Sequence, residues 1–198
     1  MALYDQNPTG RFADRASDYA KYRPSYPGEA LGAILLGLGR PSRLVAADVG
    51  AGTGISSRLL AEHGVRVLAI EPSAAMRAAA AHNERVTFRD GTAEETGLAD
   101  ESVDLVLCAQ AFHWFRPREA FAEFARILKP GGRVALMWND RDDRDECTRR
   151  YGELILTASD GHAAARGFAP PDALRDSALF TGYRAQAFSS HQDLDEAG

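Results

Sequence analysis

The chain has 198 residues, of which 45% are hydrophobic, and its formal net charge is −5 at pH 7. That length and apolar content can bury one sizeable core but hardly two, so we expect a single domain. The negative charge argues against a nucleic-acid partner, because neutralising phosphates requires a concentrated basic surface. The longest apolar stretch, residues 31–38, is too short to span a bilayer, so we expect a core-facing helix and no membrane partner.

Within residues 45–55, a short apolar run ends in Asp48, and glycines then follow at every second position, at Gly50, Gly52 and Gly54. A buried strand that turns through glycines into a helix aims free backbone N–H groups, and the positive end of the helix dipole, at one point. Apolar residues on one face predict the helix from Ile55 onward. We therefore expect a polar or anionic group at this turn.

The spacing of these glycines discriminates among nucleotide-binding folds. A dinucleotide fingerprint would need its third glycine where the chain has Ile55. A Walker-type phosphate loop is excluded, because it needs a lysine directly after the last glycine. The D-x-G-x-G-x-G pattern from Asp48 to Gly54 resembles motif I of the class I S-adenosylmethionine-dependent methyltransferases. A tight strand-to-helix turn that binds nothing is the alternative interpretation.

An acid follows the second predicted strand. Residues 65–70 are apolar and β-branched, and Glu71 and Pro72 come directly after them. A carboxylate roughly 20 residues after the glycine turn is where such folds bind ribose hydroxyls, so Glu71 is the candidate ribose ligand. The alternative is a solvated acid that caps the helix predicted over residues 74–81.

The third predicted strand, residues 86–89, leads into a loop that contains Thr92, Ala93 and Glu94. In the methyltransferases that the chain resembles, the turn after strand three holds the adenine edge. That resemblance implies an adenine-binding role for these three residues, with the backbone N–H of Ala93 as donor. A merely polar loop is the alternative.

The fourth predicted strand, residues 103–109, opens into a cluster with one amide, one imidazole and three aromatic rings at residues 110–115. Such a cluster suits a cofactor and substrate pocket at the carboxyl edge of a sheet. It resembles the A-Q-A-x-H-W-F block of the methyltransferase type 11 group, which includes trans-aconitate methyltransferase-like enzymes. His113 is the candidate catalytic base, and a structural histidine beside the cofactor is the alternative.

A helix from Pro117 and a fifth strand over residues 133–138 complete an alternation of strands and helices that begins at residue 43. This alternation predicts an α/β fold with a doubly wound, mostly parallel sheet. The resemblance implies the strand order 3-2-1-4-5 with two further strands. After the fifth strand, we predict a helix over residues 142–158, a short helix from Pro170 and one more strand over residues 180–190.

The resemblance divides the single domain into lid helices (residues 1–40), a cofactor-binding core (41–140) and a C-terminal part (141–198). That last part looks shortened, without the last strand of the group; either strand five is left with an incompletely protected edge, or a partner chain covers it. An incompletely protected strand five predicts a tendency to form a homodimer or to aggregate. The N-terminal segment resembles the Y-x-x-Y-R-P-x-Y-P lid of the same group, in which Arg23 would bind the methionyl carboxylate and Tyr22 would cover the sulfonium. The alternative is that Tyr22 packs within a helix and that Arg23 is solvated.

These features predict a cytoplasmic enzyme that transfers a methyl group from S-adenosylmethionine to an oxygen, or to a nitrogen or carbon, of a small molecule. Two cysteines supply neither a disulfide framework nor a metal-ligand spacing, which favours a reducing compartment and no metal. A non-catalytic module that binds S-adenosylmethionine and an NAD-dependent oxidoreductase are the alternatives. The expected cofactor-binding residues are Tyr22, Arg23, Asp48, Gly50, Ala51, Gly52, Thr53, Gly54, Glu71, Pro72, Met76, Thr92, Ala93, Glu94, Gln110, Ala111, His113 and Trp114.

Overall fold

A computed structural model describes residues 24–158 and 172–191. In this part of the chain, five parallel strands form one sheet in the order β3-β2-β1-β4-β5. The strands are β1 (Val45–Val49), β2 (Arg66–Ile70), β3 (Val86–Arg89), β4 (Val103–Ala109) and β5 (Leu128–Met137). The helices are α1 (Gly28–Leu35), α2 (Ile55–Glu62), α3 (Ala74–Ala78), α4 (Pro117–Ile127), α5 (Glu146–Ala158) and α6 (Asp172–Arg175). The doubly wound fold and the strand order are confirmed.

The core lies in two layers, one on each face of the sheet. Successive side chains of β4 point to opposite faces, so Val106 and Cys108 pack in one layer while Leu105 and Leu107 pack in the other. The apolar face of α4 covers the first layer, and α1 and α2 cover the second. None of the helices in the described ranges is long and apolar enough to cross a membrane.

β5 begins at Leu128, five residues before the predicted start. Leu128 pairs with Val103, and the next pair joins Arg133 to Leu105, so residues 129–132 bulge out of the ladder. A Cβ atom on Gly132 would lie 2.8 Å from Leu128 Cδ2 and 2.9 Å from the Lys129 carbonyl oxygen, which explains the glycine.

The region after β5 differs from the prediction in two places. α5 begins at Glu146 rather than at residue 142, because the Asp145 carboxylate accepts a hydrogen bond from the Thr148 N–H at 2.8 Å and acts as the N-cap. The strand predicted over residues 180–190 is wrong, since these residues form no strand. Phe180 packs against one core layer and Phe188 against the other, so this segment contacts both layers of the core.

Candidate cofactor site

The glycine turn joins β1 to α2 at the carboxyl end of the sheet. Gly50, Gly52 and Gly54 have φ angles of 71°, 58° and 77°, in the left-handed region that side chains disfavour. A Cβ atom on Gly50 would lie 2.5 Å from Ala111 Cβ, so the turn also packs tightly against the segment that follows β4. The glycines therefore serve both the path of the backbone and close packing.

The N–H groups of this turn are directed mainly at the protein itself. Those of Gly50 and Ala51 donate to the Ile70 carbonyl oxygen at 2.9 and 3.1 Å. The Gly52 N–H donates to Glu71 Oε2 at 2.9 Å. The expectation of free N–H groups at these three residues is therefore wrong, because the parallel pairing of β1 with β2 brings the end of β2 against the turn.

Glu71 is held in place from two sides. Its Oε2 accepts from Gly52, and its Oε1 accepts from the Ser73 N–H at 2.8 Å. The residue is 8% exposed, and burial raises the pKa of its carboxyl group against the lowering effect of these two hydrogen bonds. This burial excludes the alternative interpretation of Glu71 as a solvated acid. Each carboxylate oxygen has a second lone pair, so Glu71 can also accept hydrogen bonds from two ligand hydroxyls.

Asp48 lies behind the turn and is fully buried. Its Oδ2 accepts from the hydroxyls of Ser56 and Ser57 at 2.7 and 2.6 Å, which ties β1 to the first turn of α2. Burial raises the pKa of Asp48 to about 6, although the two serine hydrogen bonds oppose this rise. Within the described residues, Oδ1 has no hydrogen-bond partner. The buried Asp48 side chain thus fixes the start of α2 relative to the end of β1 on the core side of the glycine turn.

The loop after β3 lies beside the end of β2. Thr92 closes a tight turn with Glu95, since each residue's N–H donates to an oxygen of the other at 3.0 and 3.1 Å. Ala93 is buried, and Glu94 Oε1 accepts from the Arg116 N–H at the start of α4 at 2.8 Å. The predicted adenine-edge segment therefore has a fixed backbone.

The segment after β4 forms the opposite wall. Gln110 has a φ of 57°, which is uncommon for a residue with a side chain, and its Nε2 donates to the Asn139 carbonyl oxygen at 3.0 Å. The Asn139 amide in turn donates to the Ser25 carbonyl oxygen at 3.1 Å. His113 and Trp114 follow on a short 3-10 turn, with ring centroids 5.0 Å apart. The ends of β4 and β5 are thus linked to the chain that enters α1.

Most of the predicted site residues line one open groove, which lies at the carboxyl edge of the sheet and continues along the whole of β5. Those that line it are Gly50, Gly52, Glu71, Pro72, Met76, Thr92, Ala93, Glu94, Gln110, Ala111, His113 and Trp114. Four others, Asp48, Ala51, Thr53 and Gly54, are not among the lining residues. Tyr22 and Arg23 lie outside the described residues. Sequence reasoning missed Ser73 as a partner of Glu71, although a serine just before a helix is a typical capping signal. In the described ranges, no group of three or more His, Cys, Asp or Glu residues could hold a metal ion.

The fold and this site together define a Rossmann-like α/β protein with a ligand cleft at the carboxyl edge of its sheet. Residues 47–136 match the family model described as a methyltransferase domain. The chain is 44% identical over 148 residues to an uncharacterized methyltransferase of Mycobacterium tuberculosis, an alignment of 73% of this chain and 58% of that protein. The chain therefore belongs to the methyltransferase family, with the fold of the class I enzymes.

Two further relatives show the same likeness. A malonyl-[acyl-carrier protein] O-methyltransferase of Methylococcus capsulatus is 36% identical over 150 residues, 72% of this chain and 52% of that protein. A solved structure from Anaeromyxobacter dehalogenans, assigned as a type II methyltransferase, is 33% identical with a TM-score of 0.59 and covers 78% of this chain and 63% of its own. This chain thus spans little more than half the length of the curated relatives named here.

Proposed function

We propose that this chain binds S-adenosylmethionine and transfers its methyl group to a small-molecule acceptor. The observation that carries the proposal is the buried Glu71 carboxylate, which the Gly52 N–H and the Ser73 N–H hold at the mouth of the glycine turn. A carboxylate with free lone pairs is suited to the two hydroxyls of a ribose. Because NAD also carries ribose hydroxyls, the NAD-dependent alternative is disfavoured by the glycine turn instead, in which Ile55 stands where a dinucleotide fingerprint needs its third glycine.

The residues around Glu71 suit the rest of such a cofactor. The loop with Thr92, Ala93 and Glu94 borders the ribose position on one side, where an adenine edge could meet the backbone. Met76 is 5% exposed and supplies an apolar surface in the same groove. Two buried acids, Asp48 and Glu71, make this region negative, which favours a cationic sulfonium.

Methyl transfer places limited demands on the protein. When bound, S-adenosylmethionine supplies an already activated methyl group. The protein must hold the acceptor in line with that group and keep water out. Trp114, Phe115 and Trp138 line the groove and would supply an apolar wall for this purpose. His113 would take a proton from a hydroxyl, amine or carbon acid, whereas a carboxylate acceptor would need no base.

A small acceptor is favoured by the charge along the groove. Beyond β5, Asp140, Asp142, Asp143 and Asp145 outnumber the basic residues Arg141 and Arg144 in the same stretch. Such a rim would repel a phosphate backbone. The relative from Methylococcus capsulatus is an O-methyltransferase by name. Its similarity supports an oxygen as the acceptor atom.

Calorimetry with S-adenosylhomocysteine tests the cofactor assignment. The unaltered chain is expected to bind it and not to bind NAD. Glu71→Gln is expected to weaken binding by about tenfold or more, since hydrogen bonds to a charged group contribute about 1.5–3 kcal/mol. Glu84→Gln, at an exposed site that does not line the groove, serves as the matched control. Equal affinity of the Glu71 variant and the control would refute the site.

Turnover is tested separately with isotope-labelled S-adenosylmethionine and a panel of small hydroxy acids, carboxylic acids and amines, with products detected by mass spectrometry. A labelled product is the expected result. Tight binding of S-adenosylhomocysteine with no labelled product across the panel would favour the non-catalytic binding module instead.

A further inference from the structure

α4 carries a buried acid that the proposed methyl transfer does not use. Glu123 is 9% exposed, and its Oε1 accepts from both the N–H and the hydroxyl of Thr96, at 2.9 and 2.5 Å. Although burial raises its pKa, the hydrogen bonds from Arg126 and Thr96 lower it to about 2. The carboxylate therefore stays charged and bonded at every pH at which the protein would work.

Arg126, one helical turn further along α4, completes the connection. Its Nε and one terminal nitrogen donate to the two oxygens of Glu123 at 2.8 and 2.7 Å. The same terminal nitrogen donates to the Leu98 carbonyl oxygen at 2.8 Å, while the Leu98 N–H donates to the Thr96 hydroxyl at 3.3 Å. Two residues of α4 thus hold residues 96–98 of the loop by side-chain and backbone contacts.

The other side of the same loop is fixed just as closely. Glu94 bonds to the Arg116 N–H at the start of α4. A Cβ atom on Gly91 would lie 3.0 Å from Ile70 Cγ2 and 3.1 Å from the Thr96 carbonyl oxygen, so the loop has little room to shift. Ala93 lies between these anchors and lines the groove, whereas Thr96 and Glu123 do not.

We propose that Thr96 and Glu123 are positioning residues that orient the Ala93 N–H for recognition of adenine. This inference rests on the proposed function, because it presumes a cofactor with an adenine base. A backbone N–H can donate to N1 of adenine, which is an acceptor, but meets another N–H at N1 of hypoxanthine. A rigid loop would therefore discriminate between the two bases, and a loosened one would not.

The test compares the affinities for S-adenosylhomocysteine and S-inosylhomocysteine in wild type and two variants, by calorimetry. Thr96→Val keeps the shape of the side chain but removes the hydroxyl, and Thr96→Ser keeps the hydroxyl. We expect the valine variant to bind S-adenosylhomocysteine about tenfold more weakly, with little change for the inosine analogue. The serine variant should stay within about twofold of wild type for both. Thr87→Val, at an exposed position of β3, is the matched control.

A folding defect is separated from this effect by the binding stoichiometry, because misfolded chains lower the number of sites but not their affinity. Should Thr96→Val fold poorly, Glu123→Gln provides the same comparison, since it removes the ion pair with Arg126 while keeping an acceptor for Thr96. An adenine-to-hypoxanthine affinity ratio unchanged in these variants would overturn this inference alone. Failure of wild type to bind S-adenosylhomocysteine would overturn the proposed function, and the inference with it.

Discussion

Replacing the buried Asp48 by asparagine should remove a distinct pH dependence of stability. The carboxyl group is fully buried, and desolvation raises its pKa from the ordinary value of 3.8 to about 6. Asparagine has nearly the same shape, and its amide oxygen can accept both serine hydrogen bonds. Its NH₂ group would lie at Oδ1, which has no partner among the described residues. The variant therefore replaces a charge that titrates with a polar group that does not.

The sign of the effect follows from the direction of the shift in pKa. The folded state binds the Asp48 proton more tightly than the unfolded state does. The stabilising contribution of this group is therefore complete below pH 3.8 and is lost as the pH rises through about 6. A rise in pKa from 3.8 to about 6 corresponds to about 3 kcal/mol in the free energy of unfolding.

Urea denaturation followed by circular dichroism between pH 4 and 8 measures this effect. The free energy of unfolding of Asp48→Asn, minus that of wild type, should rise by about 2 kcal/mol across this range, since part of the total of about 3 kcal/mol develops only below pH 4. Glu71 also has a raised pKa, but it is present in both proteins and largely cancels in the difference. Ser57→Ala removes one hydrogen bond that lowers the pKa, so it should move the wild-type midpoint to higher pH. A difference that is constant from pH 4 to 8 would refute the reasoning.

Two further substitutions separate the roles of the residues at the site. His113→Ala should lower kcat by about 100-fold or more while the Kd for S-adenosylhomocysteine changes by less than about twofold; parallel losses would identify a structural histidine. Gly50→Ala should lower the free energy of unfolding by about 2–5 kcal/mol, because the added Cβ combines a left-handed φ with a 2.5 Å approach to Ala111. Gly64→Ala has a similar φ but no atom within 3.8 Å, so a loss as large as that at Gly50 would contradict the packing argument.

The sequence was sufficient to predict the elements whose signal is local. The glycines at 50, 52 and 54 mark a strand-to-helix turn because few other residues adopt left-handed φ angles. In β4 the apolar run from Leu105 to Ala109 is continuous because both faces of the strand are buried there. Neither signal depends on distant residues, whereas the strand order came from the resemblance to a family.

Features that depend on long-range pairing were not accessible in the same way. The Ile70 carbonyl and the Glu71 carboxylate occupy the N–H groups of the glycine turn only because β2 pairs with β1 in one register. The bond between Thr96 and Glu123 joins residues 27 positions apart. Likewise, the aromatic pattern of residues 180–190 resembles that of a strand, although Phe180 and Phe188 instead pack in opposite core layers.

The N–H groups of the glycine turn bond to other parts of the protein, and this changes the kind of ligand that the turn favours. An open strand-to-helix turn would attract an anion, because N–H groups and the helix dipole both point outward. Here the protein supplies that anion itself, since Glu71 accepts from Gly52 and from Ser73. The surface then presented to a ligand is a carboxylate, with the buried Asp48 behind it. Such a surface favours hydroxyls and a positive charge over phosphate, which is the combination that a ribose next to a sulfonium provides.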